Sequence, residues 1–512
     1  IDLILDKELN PGELVSFIEN QRPLTAVITA SIINDFESDM QTISTPEDGF
    51  NKQFLMEVQK KTEEPKYLPL DDEIKRPLVL KELLTVAPIL KTKGKVLDFI
   101  NHYTDRYSKI VDIFIENNKN SLSTKQTPLI TDFDQLARFT KSTEQTGDKT
   151  FDVVVIGVVS EVQLSHESIK VYLQGSGKPP LIVGKFRKNA AGAKSVTELP
   201  LGVVIGIKGT PIPQQQEIFP ILEAEAIVYP DIATAKMSYQ PPPSGIDPLI
   251  IAVSDLRYKH PYVSDIDEKS LDVIKSKDSL FLDALITSIN RTITSSNFGR
   301  ISAVIFSGNT IDSTNSKLSI KDHYASLIKR LSKLDPSITI ILTPGETDFT
   351  REFLPQPRPH EKYLPKLPPN ISFLDNPACF LLNGRTILVF HDKNASKVLK
   401  QDEEIDFMVK LLRFRYLAPK WQNTSSVVLP APHDPLVITH EPDIFILSSV
   451  NNATTGRYKN VRLVTATNLK DYQERLTGEE RFTSGLLEID LPATSLNTLE
   501  SRVINLLLTK KI

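Results

Sequence analysis

The chain has 512 residues, 40% of them hydrophobic and 24% charged, with a formal net charge of −4; this predicts a globular protein of roughly three domains and excludes an overall basic field for nucleic acid. Its single cysteine, Cys379, excludes an intrachain disulfide and a cysteine-rich zinc site, and is typical of the reducing cytoplasm. No apolar stretch approaches the roughly 20 residues of a membrane span, and the first residues lack the basic segment of a secretion signal, so no membrane association is expected.

The first 92 residues predict a small module and a tether. The segment Asn10–Glu13 is typical of a helix start, because asparagine can cap, proline suits the first helical position, and the glutamate can reach back to the cap amide. Together with the apolar segment that follows, it predicts a small helical N-terminal module over residues 1–36. Residues 37–92 are polar and charged with weak periodicity, which predicts a linker.

An amphipathic helix is predicted over residues 93–117, because apolar side chains recur there at three- and four-residue steps. They are Leu97, Ile100, Tyr103, Tyr107, Ile110, Val111 and Phe114.

Residues 150–230 change to short β-rich runs separated by Gly, Ser, Lys and Pro. Five strands in fewer than 90 residues predict a small barrel of the oligonucleotide-binding (OB) type. Lys185, Arg187 and Lys188 lie in this region as candidates for DNA contact. They fit either a groove for single-stranded DNA, which would also need exposed aromatic side chains, or an ordinary solvated face.

A proline-rich spacer precedes residues 246–512, where apolar runs alternate with helical patterns and predict an α/β domain. Five of these runs end on a short polar cluster, and ligands gather at the carboxyl ends of strands in such sheets. The clusters are Asp255-Leu256-Arg257, Gly308-Asn309, Gly345-Glu346-Thr347-Asp348, His391 and Ser448-Ser449-Val450-Asn451.

In this order the clusters resemble the calcineurin-like metallophosphoesterase pattern of D-x-H, G-D, G-N-H-D, a lone His and G-H-x-H. Metal chemistry of that kind needs imidazoles and carboxylates converging from several strand ends. The flanking motifs narrow the resemblance to the small subunit of archaeal family D DNA polymerases, which is related to the B-subunits of eukaryotic replicative polymerases. They are Pro344–Asp348, Leu354–Pro357, Glu361–Tyr363, Leu374–Ala378, Leu411–Pro419, Pro442–Phe445 and, in the predicted helix, Asp105–Tyr107.

The resemblance implies an α/β (α+β) multidomain fold, with the OB-type barrel followed by a calcineurin-like β-sandwich flanked by helices over residues 246–512. It also implies that the site is degenerate. Of the seven usual ligand positions, only two keep their residue type, Asp255 and His391. The positions that differ are Arg257, Asn309, Glu346, Ser449 and Asn451; Thr347 replaces the expected transition-state histidine, and Asp348 remains without that partner. No active catalytic residue, bound metal or cofactor is therefore expected.

Three functions stay open at this point. The first is a non-catalytic small subunit that forms a heterodimer with the large catalytic subunit, helps position DNA and recruits other replication factors through its N-terminal module, in the cytoplasm with the nucleoid. The second is an active 3′–5′ exonuclease, which would need a divalent metal such as Mn²⁺ or Mg²⁺. The third is a free single-strand binding module.

Arg257 carries a separate hypothesis: its permanent positive charge substitutes for the lost metals by pairing with Asp255 or Glu346. Taken alone, Asp255 is typical of a turn residue and His391 of a hydrogen-bonded structural histidine.

Overall fold

The protein is described by a computed structural model, and every described residue belongs to the compact unit Arg76–Ile512. The described ranges are 80–86, 96–119, 127–136, 152–175, 181–188, 193–212, 219–233, 249–258, 282–283, 285–287, 289–290, 301–312, 319–382, 384–392, 403–421, 428–450, 453–467, 481–490 and 501–509. Only the backbone is described for residues 96, 118–119, 193, 249, 467, 481–490 and 501–509. The predicted module at 1–36, most of the predicted linker and Asn451 lie outside these ranges.

The described strands fall into three sheets. In chain order they are β1 (Leu80–Glu82), β2 (Leu129–Ile130), β3 (Val153–Leu164), β4 (Ser168–Gln174), β5 (Leu181–Arg187), β6 (Val204–Ile212), β7 (Ile221–Val228), β8 (Leu249–Ser254), β9 (Ile301–Ser307), β10 (Thr339–Thr343), β11 (Ile371–Phe373), β12 (Ala378–Leu382), β13 (Arg385–His391), β14 (Ile444–Val450), β15 (Thr455–Tyr458), β16 (Val461–Thr467), β17 (Arg481–Asp490) and β18 (Ser501–Thr509).

Four α-helices accompany them: α1 (Val96–Lys119), α2 (Ala193–Thr197), α3 (Ile320–Leu331) and α4 (Glu404–Phe414). Further helical residues occur between 282 and 290, and a 3₁₀ turn spans Glu361–Tyr363. Within the described ranges, no helix combines the length and the apolar character that a bilayer crossing needs.

Strands β3–β7 form a closed five-stranded barrel, with the order β3–β4–β5–β7–β6 and a β3–β6 pairing that completes the ring. Its interior is filled by apolar side chains, most of them valine and isoleucine. Gly157 lets the strands pack tightly, since a Cβ there would lie 2.9 Å from the Cβ of Leu173. The five predicted β-rich runs therefore correspond to these five strands.

Two six-stranded sheets pack face to face, and all their strands except β1 come after residue 248. One has the order β1–β12–β13–β14–β16–β15 and the other β11–β10–β9–β8–β17–β18. A shared core of small and branched apolar side chains from β8, β9, β10, β12, β13 and β14 fills the space between them. Strands β9, β10 and β14 are buried along their whole length, which explains why they read as continuous apolar runs instead of alternating ones.

Helices cover the outer faces of both sheets. The apolar face of α3 packs with the helical residues between 282 and 290 on one sheet, and α4 packs on the other. Strands β8, β9 and β10 are mutually parallel, as are β13 and β14, so their carboxyl ends lie at one edge of the two-sheet domain. This edge carries the polar clusters. The structure is a mixed α/β arrangement with a five-stranded barrel, which confirms the fold class and the barrel predicted from the sequence.

One part of the domain prediction needs correction. Strand β1 lies inside the range 37–92 assigned to a linker, yet it pairs antiparallel with β12. Arg358 donates to both carboxylate oxygens of Glu82, at 3.0 and 2.5 Å, and the Val86 amide donates to Asp375 at 2.7 Å. A strand of three residues is too short for its periodicity to be recognised in the sequence. In the structure it is held by its pairing with β12 and by the bidentate ion pair between Glu82 and Arg358.

Helix α1 occupies the region where a helix is predicted at 93–117, and it contacts both the barrel and the two-sheet domain. Tyr107 donates from its hydroxyl to the carbonyls of Thr131 and Ile156 in the barrel. On its other side, Arg106 donates from Nε to Asp434 at 2.7 Å, and its guanidinium lies 4.0 Å from the ring centre of Tyr416. The helix therefore joins the two domains through buried polar contacts.

Candidate functional site

The site lies where the ends of β8, β9, β10, β13 and β14 meet. Asp255 follows β8, Asn309 follows β9, and the loop with Thr347 follows β10. His391 closes β13 and Ser449 lies near the end of β14. The structure therefore brings the predicted site positions together at one edge, except Asn451, which is outside the described residues.

The centre of the site is a carboxylate that accepts hydrogen bonds from its neighbours. Asp255 is buried, and its Oδ1 accepts from Asn309 Nδ2 at 2.5 Å while its Oδ2 accepts from the Ser254 hydroxyl at 2.5 Å. The amide orientation of Asn309 is fixed from its other end, because its Oδ1 accepts from the Thr347 backbone N–H at 2.9 Å. A backbone amide can only donate, so Nδ2 must face Asp255.

His391 completes this cluster from the opposite sheet. Its Nε2 lies 3.3 Å from Asp255 Oδ1. Its backbone is held on both sides by the buried Asn376, which donates to the His391 carbonyl at 2.9 Å and accepts from the His391 N–H at 3.0 Å. The ring packs on Gly308, where a Cβ would lie 1.8 Å from His391 Cδ2. Glycine is thus the residue that leaves room for the imidazole.

The two ionisable groups stabilise each other's charged form. Burial by itself raises the pKa of Asp255, but the His391 imidazole and the hydrogen bonds from Ser254 and Asn309 lower the pKa below its ordinary value. Burial likewise acts to lower the pKa of His391, while the Asp255 carboxylate raises the pKa above its ordinary value. Both pKa shifts therefore arise from the buried contact between the Asp255 carboxylate and the His391 imidazole.

Arg257 lies above this pair. Its backbone N–H donates to the Asn309 carbonyl at 2.6 Å. Its Nη2 lies 3.8 Å from Asp255 Oδ1, which is within ion-pair range but too long for a hydrogen bond. The side chain is a quarter exposed, and its buried Nε has no hydrogen-bond partner among the described residues. A fixed positive charge thus faces the carboxylate from the solvent side.

Asp348 ties the loops after β9 and β10 together. Its Oδ2 accepts from the backbone N–H groups of Gly345 and Thr310, both at 2.8 Å. Its Oδ1 accepts from the hydroxyl of Thr310 and, at 3.3 Å, from the hydroxyl of Tyr324. Burial raises the pKa of Asp348 despite these donors. The sequence has Thr347 where a histidine partner of this carboxylate is expected. In the structure the carboxylate instead accepts the hydrogen bonds that fix the conformation of the loop.

The serines of the last cluster connect the two sheets. The Ser448 and Ser307 hydroxyls lie 2.6 Å apart, and the Ser449 backbone N–H donates to the Ser254 hydroxyl at 3.0 Å. Glu346 is half-buried, and its charge also favours the protonated form of His391. Ser254, Ser307, Thr310 and Asn376 are contributors that sequence reasoning missed, since short polar side chains at strand ends carry no distinctive spacing.

The backbone of the site is strained. Four of its side-chain-bearing residues have positive φ angles: 51° at Asp255, 46° at Arg257, 46° at Asn309 and 67° at Ser449. Such conformations cost roughly 1–2 kcal/mol for residues other than glycine and cluster at active sites. The strand ends at this edge therefore hold a costly backbone geometry.

We expect Ser449→Gly to stabilise the protein by about 0.5–1 kcal/mol. Glycine removes the left-handed strain, which outweighs the extra entropy of the unfolded chain. Urea unfolding would measure the change. The matched control is Ser448→Gly, which should destabilise by about 1–2 kcal/mol because it removes the buried hydroxyl contact with Ser307 and gains nothing from a positive φ. Equal losses for both variants would contradict strain at residue 449.

The described residues of the site offer no ready set of ligands for a pair of divalent ions. Across the described ranges, no group of three or more His, Cys, Asp and Glu side chains is placed to hold one ion. The Asp255 oxygen nearest His391 already accepts from the Asn309 amide at 2.5 Å. A cation between Asp255 and His391 would therefore meet the amide hydrogens of Asn309 and the guanidinium of Arg257.

The candidate DNA-contact residues lie apart from this site, on and just after β5. Lys185 is exposed and faces Lys170 across the β4–β5 pair. Arg187 donates to Glu223 at 2.6 Å, and Lys188 follows the strand at its exposed end. The face mixes acids with bases, which is the pattern of the solvated alternative.

Comparison with known proteins finds relatives among the small or B-type subunits of DNA polymerases. The family of DNA polymerase alpha/epsilon B-subunits matches residues 265–456. DNA polymerase II small subunits are similar: that of Thermoplasma acidophilum is 24% identical over 421 residues, which are 78% of this chain and 77% of that protein. That of Methanocaldococcus jannaschii is 23% identical over 75% of this chain and 62% of its own length.

The small subunit of Pyrococcus horikoshii is 34% identical over 154 residues, which are 28% of this chain and 24% of that protein. Among solved structures, a novel archaeal phosphodiesterase aligns with 50% of this chain and 99% of its own, at 13% identity and a TM-score of 0.26, which is too low to support an argument. The order of the strand-end clusters and these long alignments indicate the same group of relatives. Over about three quarters of its length, the chain is therefore similar to archaeal DNA polymerase II small subunits.

Proposed function

We propose that this chain is the non-catalytic, B-type small subunit of an archaeal replicative family D DNA polymerase, where it holds the large catalytic subunit and helps to position DNA. The observation that carries the proposal is the hydrogen bond from Asn309 to Asp255, with the amide orientation fixed by Thr347. Hydrogen-bond donors and Arg257 surround the carboxylate that a nuclease of this type would give to a metal. The chain then contributes binding surface to the polymerase and no 3′–5′ exonuclease activity or metal cofactor.

The architecture supports the finer fold assignment that belongs to this proposal. A closed five-stranded barrel in the N-terminal half is compatible with an OB-type domain. Two sheets packed face to face between helices, with polar clusters at one edge, are compatible with a calcineurin-like phosphoesterase domain whose site has been inactivated.

The proposal also assigns the remaining parts of the chain. The large catalytic subunit and DNA are the partners, residues 1–36 recruit another replication factor, and the complex works with the nucleoid in the cytoplasm. Lys185 and Lys188 remain candidates for DNA contact, whereas Arg187 is paired with Glu223. None of these roles requires chemistry at the strand-end site.

Co-expression of the full chain with a tagged family D large subunit from the same genome tests the proposal. We expect the two chains to purify together and DNA synthesis to depend on this chain. A 3′-labelled single-stranded oligonucleotide with Mn²⁺ should stay intact with this chain alone. Shortening of the oligonucleotide that disappears in His391→Ala would support the exonuclease alternative, and failure to co-purify would contradict the subunit role.

A further inference from the structure

Residues 80–86 run along the edge of one sheet of the two-sheet domain, and we call them the strap. The first three form β1, which pairs antiparallel with β12. The backbone N–H groups of the next two, Leu83 and Leu84, both donate to the Cys379 carbonyl, at 2.9 and 3.1 Å. Within the described residues, the strap is the neighbour of β12 on the side away from β13. It therefore covers the edge of a strand that would otherwise have unpaired backbone groups.

Arg358 binds a carboxylate of the strap. Its Nη1 and Nη2 donate to the two carboxylate oxygens of Glu82 at 3.0 and 2.5 Å, and this bidentate geometry is specific for an acid. The guanidinium is also held from its other side, because its Nε donates to Asp375 at 3.2 Å. The Arg358 backbone N–H donates to the same Asp375 oxygen at 2.8 Å. These contacts keep Arg358 directed at the position of the glutamate without help from the strap.

Apolar side chains hold the strap on both sides of the glutamate. Leu80 packs against the core between the two sheets, and Leu83 and Leu84 pack against the larger apolar cluster. At the far end Val86 is buried, and its N–H donates to Asp375 Oδ2 at 2.7 Å. Backbone pairing with a sheet edge, together with contacts for particular side chains, is the way that proteins bind extended segments of other chains.

The strap is less buried than the strand that it covers. Of residues 80–86 only Val86 is buried, and Lys81 and Thr85 are exposed, whereas β12 is buried at four of its five positions. A segment with few buried contacts opens locally at a lower free energy than the core of the same domain. Opening of the strap would uncover the edge of β12 and leave Arg358 in place.

We propose that the edge of β12 and Arg358 form a groove for an extended protein segment that carries a glutamate, and that the strap is its releasable occupant. The strap shows the pattern that fits: the apolar Leu80, Glu82 two residues later and the apolar Val86 four residues after that. A nucleic acid strand does not fit, because it lacks the backbone N–H and C=O groups that pair with a sheet edge. This inference does not rest on the proposed function.

The test uses the full chain and a fluorescein-labelled peptide of residues 78–88, with binding measured by anisotropy. Glu82→Lys in the full chain places a cation against Arg358 and should release the strap. We expect this variant to bind the peptide at least about tenfold more tightly than the wild type, whose groove is filled. Adding Arg358→Ala to the variant, or replacing the glutamate of the peptide by glutamine, should weaken binding by about tenfold.

The matched control is Lys81→Glu, a charge reversal at the exposed neighbouring residue, which should bind the peptide as the wild type does. Hydrogen exchange of the same proteins measures whether the strap opens. In the wild type we expect the amides of residues 80–86 to exchange at least about 100-fold faster than those of β13. Exchange of the strap should be faster still in Glu82→Lys.

Three results would overturn the proposal. Strap amides that exchange as slowly as those of β13, or no faster in Glu82→Lys than in the wild type, would show that the strap is a permanent strand or that Glu82 does not hold it. Absence of peptide binding by Glu82→Lys would show that the groove accepts no segment from another molecule. Peptide binding that is the same with glutamine as with glutamate would show only a non-selective apolar edge.

Discussion

Asp255→Ala is expected to destabilise the two-sheet domain by about 3 kcal/mol, because it leaves a buried imidazole and a buried amide without their acceptor. The carboxylate accepts from Ser254, Asn309 and His391 and faces Arg257. In a site that holds carboxylates for metals, the opposite result is typical, since removing a functional group relieves strain in the empty site. Urea unfolding of the variant and the wild type without added metal would measure the difference.

The control for this prediction is Glu352→Ala, an exposed acid on the nearby loop, which should change stability by no more than about 0.5 kcal/mol. An Asp255→Ala protein as stable as the wild type, or more stable, would mean that the carboxylate is not satisfied by its neighbours. The site would then have to be reinterpreted as an empty metal centre.

Asp434→Ala is expected to destabilise the protein by about 3–5 kcal/mol, because it leaves the buried Arg106 guanidinium uncompensated. The Asp434 carboxylate is fully buried, 2.7 Å from Arg106 Nε and 3.1 Å from His102 Nε2. The same helix offers a matched control in Lys109→Ala, since the Lys109–Asp105 pair is partly exposed and should contribute less than about 1 kcal/mol. Similar losses for both variants would show that the buried contact does not fix α1.

The pH dependence of stability gives this contact a second readout. Burial raises the pKa of Asp434, but His102 and Arg106 lower the pKa below its ordinary value of 3.8. The contribution to stability is therefore complete above about pH 3.8 and is lost as the pH falls through the folded-state pKa. Between pH 5 and pH 3, unfolding curves of the wild type should lose more stability than those of Asp434→Asn.

The sequence predicted the place of the site because parallel strands end together. Each apolar run that terminates on Asp255, Asn309 or His391 is a buried strand, and the continuous apolar character of such strands is visible without a structure. The barrel was predictable for a related reason, since short β-rich runs at regular spacing leave few other arrangements.

The contacts that decide the chemistry were not predictable in the same way. The direction of the Asn309 amide depends on the Thr347 N–H, and the position of His391 depends on Asn376. These partners are separated by 15 to 38 residues and meet only after the sheets have packed. Arg106 and Asp434 are 328 residues apart in the sequence, so no pattern of neighbouring residues could predict their contact.

The Arg257 hypothesis gains a definite geometry from the structure. The guanidinium faces Asp255 at ion-pair range, while the hydrogen bonds to that carboxylate come from Asn309, Ser254 and His391. The hydrogen-bonding capacity of the carboxylate is therefore used by these three side chains, and Arg257 adds a charge at longer range. Positive φ angles at four of the site positions show that the hydrogen-bonded cluster sits on a strained backbone.

The measurement that tests the central claim most directly is equilibrium dialysis of the full chain against Mn²⁺, followed by counting of the retained metal. If hydrogen-bond donors and Arg257 occupy the environment of Asp255, the wild type should retain no more manganese than Asp255→Ala and His391→Ala do. Two ions per chain in the wild type, lost in both variants, would contradict the account.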